Sequence, residues 1–203
     1  MEKQIAKVIS TLFHPLLLPT YALLLLFSTN IYFVLILPSQ LKFLMLGFVF
    51  ITTFVLPSIM MFILLKAEMI KSLQMESNNE RVIPLIIVSG FFFATYYFLR
   101  EAPQSGIFNL FILGATILVL MCLLINFLYK ISVHMVAIGG LLGTFTGLAL
   151  IFHQDLTLII FSIIIIAGII GFARLKLKAH TPMQVYLGFL LGFVFMLGVF
   201  LFI

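Results

Sequence analysis

Residues 107–129 read Ile-Phe-Asn-Leu-Phe-Ile-Leu-Gly-Ala-Thr-Ile-Leu-Val-Leu-Met-Cys-Leu-Leu-Ile-Asn-Phe-Leu-Tyr. No Lys, Arg, Asp or Glu interrupts the run. Wound as an α-helix it is about 35 Å long, enough to cross a hydrocarbon core of roughly 30 Å. Strands of a membrane barrel alternate apolar and polar residues instead, a pattern this run lacks. Six more apolar segments surround it, at about 12–37, 41–66, 82–100, 132–152, 157–173 and 182–203. The first carries Pro15, Pro19 and the polar break Ser28-Thr29-Asn30. It reads either as one long kinked helix or as a span plus a surface piece. Pro57 predicts a kink in the second.

The composition agrees. Hydrophobic residues are 64% of the 203 and charged residues 8%; soluble domains are about 45–50% and about 25%. Eleven basic and six acidic side chains cannot cover a water-soluble surface. The mean hydropathy of +1.34 has the same meaning. The expected fold class is all-α: a polytopic transmembrane helix bundle of six or seven spans, forming one integral membrane domain over 1–203. The start, Met-Glu-Lys-Gln, shows no cleavage site and is expected to be retained. The net charge of +5 speaks to orientation and anionic headgroups rather than to nucleic acid, since no soluble basic domain exists to carry that partner. Cys122, the one cysteine, rules out disulfide frameworks and CxxC metal sites. No segment has a charge near its middle, which argues against an ion-coupled transporter. Gly139, Gly143 and Gly147, and then Gly188 and Gly192, are spaced for close helix packing.

Helix parity gathers the polar residues. Segments three, five and seven start on one face, because pairs of crossings separate their starts. That face collects Arg81, Lys130, Ser132, His134, Arg174, Lys176, Lys178 and His180. The opposite face has mainly Lys42, Arg100, Glu101, His153 and Asp155. Pro84 is expected in the first turn of segment three, Ser132 as the N-cap of segment five, and Thr181-Pro182 as N-cap and N1 of segment seven. Helix starts offer unpaired N–H groups and a positive dipole end, so arginines and histidines beside them read as a phosphate site. Singly, such residues are interfacial decoration; the reading rests on their convergence. Lys176 and Lys178 read as lipid-facing anchors, His14 and His153 as interfacial residues, and Tyr96 and Tyr97 beside Arg100 as an interface anchor.

Over about residues 66–192 the chain resembles the type 2 phosphatidic acid phosphatase superfamily of membrane lipid-phosphate phosphatases. That family has three signatures: Lys, six residues, Arg-Pro; then Pro-Ser-Gly-His; then Ser-Arg, five residues, His, three residues, Asp. The third is matched by Ala173-Arg174, five residues, His180, Thr181-Pro182-Met183 and Gln184. The second is matched in part by Ile131-Ser132-Val133-His134. In the first, Arg81-Val82-Ile83-Pro84 separates arginine from proline; Lys71 lies ten residues before Arg81, and Gln74 holds the family's lysine position.

The resemblance implies hydrolysis of a lipid phosphomonoester or diphosphate through a phosphohistidine. It makes His180 the nucleophile and His134 the acid/base. Gln184 takes the aspartate's place beside the nucleophile. Arg174, Arg81 and Ser132, with amides near Val133 and His134, would hold the phosphoryl oxygens, and Lys130 could replace the missing lysine. No cofactor or metal is implied. A glutamine can accept the imidazole N–H but cannot stabilise its positive charge; Glu76 or Glu80 could supply that charge from the 66–81 loop. The departures also motivate an alternative, a non-catalytic family member that binds anionic lipid or a membrane partner.

The implied partners are a lipid phosphate and membrane lipids; phosphatidic acid, phosphatidylglycerol phosphate and polyprenyl phosphates or diphosphates all qualify, with the tail expected to stay in the bilayer. The expected location is the bacterial cytoplasmic membrane. Basic residues crowd the site face, with Lys3 and Lys7 joining them if segment one is a single span, which by the positive-inside rule favours the cytoplasm. The family resemblance favours the outer leaflet.

Overall fold

The structure, a computed structural model, describes residues 1–73, 75, 77–101 and 106–202. Every regular element among them is helical. The elements are α1 (Glu2–Leu12), α2 (Leu18–Phe27), α3 (Tyr32–Leu35), α4 (Ser39–Phe50), a π-helical turn (Ile51–Val55), α5 (Leu56–Lys66), α6 (Asn78–Leu99), α7 (Gly106–Asn126), α8 (Val133–Phe152), α9 (Thr157–Lys176) and α10 (Pro182–Leu201). Six helices are long and apolar enough to cross a membrane, with α4, the π turn and α5 counted as one. The chain is an integral membrane protein.

The first expected segment is the part that differs. It is no continuous span over 12–37. α1 is an amphipathic helix that presents Ile5, Val8 and Leu12 outward and packs Ala6 and Ser10 inward against α9. The chain then breaks at 13–17, where Pro15 lacks an N–H group and His14, preceding a proline, is steered away from helical backbone; Pro19 follows in the first turn of α2. Only the ten-residue α2 continues the crossing. Non-helical backbone at membrane depth must find partners inside the protein. Here the Leu16 carbonyl lies 3.3 Å from the hydroxyl of buried Thr53, and the Leu16 amide donates to His14 Nδ1 at 3.4 Å. Ser28 and Thr29 close α2 by donating to the carbonyls of Leu25 and Leu26.

The second span is interrupted where Pro57 removes an amide. The Leu56 amide reaches back five residues to the Ile51 carbonyl, giving the π turn. Such turns and prolines bend helices. α6 also begins earlier than expected, at Asn78, with Ser77 as its cap. Pro84 therefore sits inside the helix, beyond its first turn, where it deprives the Glu80 carbonyl of an intrahelical partner.

α8 is the centre: 67% of its spanning window is buried, against 28–44% for the other five. Its closest neighbour is α10. At Gly139, Gly143 and Gly192 any Cβ would run into carbonyl oxygen of the facing helix, and at Gly188 it would meet the Ser132 carbonyl at 2.9 Å. Small residues thus let these two backbones touch.

Candidate functional site

The α8–α10 contact sets the site, because both helices start at the same end. The Ser132 amide donates to the Gln184 carbonyl at 3.3 Å, joining the two starts directly. α9 ends beside them. Its last turn unwinds into a short link in which Lys178 takes left-handed backbone (φ 52°) and the Ala179 amide bonds the Arg174 carbonyl at 3.2 Å. A left-handed residue costs an L-amino acid about 1 kcal/mol. In return the chain reverses quickly enough to place His180 just before α10.

Thr181 caps α10, and Gln184 completes a capping box with it. Gln184 Oε1 lies 3.2 Å from the Thr181 amide, which can only donate, so this atom is the acceptor oxygen. The same oxygen lies 3.0 Å from His180 Nδ1. Nδ1 must therefore carry the proton and Nε2 the lone pair. His180 is buried, and Arg174, Arg81 and Lys130 all bear on its ring. Burial pulls the imidazole down to about 4, against the bond to Gln184, and the three cations pull the same way as burial. At pH 7 it is a neutral imidazole with a bare Nε2.

His134 is the second residue of α8. Its Nε2 lies 3.1 Å from the Ser10 carbonyl of α1, so Nε2 donates there and Nδ1 is the atom left for proton transfer. Ser10 also meets Arg174, whose Nη1 donates to Oγ at 3.3 Å. Arg81 spans the site's edge, Nε donating to the Met75 carbonyl at 3.1 Å and Nη1 to the Ile131 carbonyl at 3.2 Å. Ser132 occupies the N-cap position, but its side chain makes no cap bond, contrary to expectation. Its Oγ and Arg174 Nε are both buried and find no hydrogen-bond partner among the described residues. Leaving such groups unmade costs about 1–3 kcal/mol each. The amides of Val133 and His134 precede the first bonds of α8, which start at Met135 and Val136.

A cavity of about 1000 Å³ opens here, walled in part by Arg81, Lys130, His134, Arg174 and His180. Among the described residues no Asp or Glu lines it. Glu80 stands outside it in the first turn of α6; Glu76 and Gln74 lie outside the described residues. No cluster of three or more metal-ligating side chains occurs among the described residues. Lys178 also lines the cavity, while Lys176 pairs with Glu2.

Two residues that sequence reasoning passed over belong to this site. Ser10 is described above. His14, expected at the membrane interface, instead lines the cavity with its ring 5.5 Å from that of His134, edge to face. A signal for Ser10 existed: Ala6 and Ser10 are the small residues four apart on an otherwise amphipathic helix. Nothing in the local sequence marked His14.

Compared with protein-family models, curated proteins and solved structures, the chain matches none.

Proposed function

We propose that the chain is a membrane lipid-phosphate phosphatase that hydrolyses a lipid phosphomonoester or diphosphate through a phosphohistidine on His180. One observation carries the reading. The imidazole of His180 is held by Gln184 with Nε2 bare, beside three cationic side chains, at the mouth of a cavity that no described carboxylate lines.

In the first step the Nε2 lone pair attacks phosphorus, the P–N bond forms and the bond to the leaving oxygen breaks. His134, in its protonated form, gives that oxygen a proton. In the second, His134 Nδ1 takes a proton from water and the water oxygen attacks phosphorus. The P–N bond breaks and inorganic phosphate leaves. Arg174, Arg81 and Lys130 stabilise the developing charge, with the Ser132 hydroxyl and the first amides of α8 as further donors. Gln184 fixes the tautomer of His180 throughout. The bacterial cytoplasmic membrane suits lipid substrates of this kind.

A second reading is a lipid-phosphate binder without turnover. It is favoured by the neutral Gln184 and by Ser10, which already engages both Arg174 and His134. The deciding measurement is phosphate release by the purified protein from a panel of lipid phosphates in liposomes. His180→Ala should abolish release and leave the protein folded, since the residue lies outside every helix. Equal release by mutant and parent removes the nucleophile assignment. Binding of the panel without release by the parent selects the second reading.

A further inference from the structure

The cavity is far larger than a phosphate needs, and most of it is apolar. From its cationic mouth it continues along α6 to Phe92, along α7 to Ala115 and Phe111, and along α8 to Leu141, with Met196 of α10 also lining it. Arg81 to Phe92 is about 16 Å of helix, and Cys122 back to Phe111 about 16 Å. The space therefore reaches to about the middle of a roughly 30 Å hydrocarbon core. Protein interiors are close-packed, with few voids larger than a water molecule. An open cavity of about 1000 Å³ is at the upper end of what ligand pockets occupy.

The sequence builds this space deliberately. Pro15, Pro19 and Pro84 all line it. The π turn and Pro57 bend the second span just before Ser58 and Met61, which line it too. Three breaks in three elements keep neighbouring helices from closing together. Helix-breaking residues inside a membrane are tolerated where the freed backbone lies within protein or lines a cavity.

We propose that this apolar arm is the binding site for one hydrocarbon chain of the lipid whose phosphate the mouth holds. The proposal rests on the phosphate reading above and deepens it: the tail leaves the bilayer and enters the protein. Charge complementarity fixes the head at the mouth, and continuity of the cavity leaves one chain in the arm. A chain moving from lipid into an apolar arm exchanges one hydrocarbon surround for another and gains little hydrophobic free energy. The arm therefore selects by shape and reach, while the head supplies affinity.

The test uses single-chain alkyl phosphonates bearing a photoreactive diazirine, bound to the whole protein in phosphatidylcholine nanodiscs, with adducts mapped by mass spectrometry. One probe carries the diazirine beside the head, the other at the tail end. The head-end probe should label His134 or the 177–181 link. The tail-end probe should label Phe111, Ala115 or Leu118 of α7, or Met196. Ala115→Phe, which fills the arm, should cut tail-end labelling at least fivefold and leave head-end labelling in place; Val88→Phe in α6 serves if that variant does not fold. Tail-end adducts confined to outward-facing Ile117, Leu120 and Leu124, with head-end labelling intact, overturn the arm as a tail site and spare the phosphate site. Absence of the head-end adduct overturns both.

Discussion

At the scale of the residue, Gln184 carries the most chemistry. One carbonyl oxygen serves the capping amide of Thr181 and the imidazole of His180. Aspartate, the residue of the resembling family, is one carbon shorter and cannot keep both bonds from this backbone position. Glutamate can. Gln184→Glu should therefore raise kcat by about tenfold or more with little change in KM, because its charge is felt mainly in the transition state. A fall in kcat would mean that the new carboxylate is captured by Arg174 or Arg81. His180 itself predicts a pH dependence. Its folded pKa of about 4 lies below the ordinary 6.5, so the unfolded chain binds more protons between those values. Stability is full above pH 6.5 and falls as pH drops toward 4. Down to pH 5 the loss from His180 is about 2 kcal/mol, and His180→Asn should remove that share in detergent unfolding curves. For the same reason the acid limb of kcat/KM belongs near pH 4 rather than 6.5. The His180–Gln184 pair was legible in the sequence, since four residues is one helical turn. Ser10 and His14 were not. They meet His134 across more than a hundred residues, through a break in the chain that periodicity does not reveal.

At the scale of the element, two helices hold the histidines in register and a third covers them. The glycine spacing of α8 and α10 announced their contact, and the structure gives it a role beyond packing: it sets the distance between the helix starts. A Cβ at Gly192 would overlap the Val136 carbonyl and stand 2.7 Å from the Gly140 amide. Gly192→Ala should destabilise by roughly 2–3 kcal/mol, the cost of overpacking a filled contact, and should reduce turnover as His134 and His180 separate. Gly198→Ala, with nothing within 4 Å, is the control and should be neutral or gain up to about 1 kcal/mol from helix propensity. Equal midpoints for the two variants in thermal unfolding would sink this account. The N-terminal segment shows where pattern reading stops. Apolar residues over 12–37 satisfy a hydropathy window whether they form one helix or a turn, a short helix and a second turn. What decides is whether interior partners exist for the broken backbone, and Thr53 and the His14 ring supply them from outside the window or across it.

At the scale of the whole molecule, the bundle has one chemical end and one plain end. The plain end is joined by ring contacts, Phe33 with Phe152 and Phe48 with Phe98, and by Arg100 stacked 4.1 Å over Tyr97. It holds only Lys42 and Arg100 of the eleven basic residues. Placing α1 against the end of α9, with Glu2 on Lys176, puts Lys3 and Lys7 at the chemical end with the other seven. Lys7, Arg81, Lys130, Arg174 and Lys178 line the cavity and so serve the site; setting them aside still leaves four against two. By the positive-inside rule the chemical end is expected to face the cytoplasm. The prediction is read by single cysteines in a Cys122→Ala background, the native thiol being buried in the cavity wall. Lys71→Cys lies in the exposed loop at the chemical end, and Gln154→Cys in the short link between α8 and α9 at the plain end. In right-side-out vesicles a membrane-impermeant maleimide should modify Gln154→Cys at once and Lys71→Cys only after the membrane is opened. The reverse order would keep the two-ended bundle and turn it over, placing the site at the outer leaflet. Modification of both from one side would overturn helix parity itself. The shared start of α6, α8 and α10, on which the site depends, would go with it.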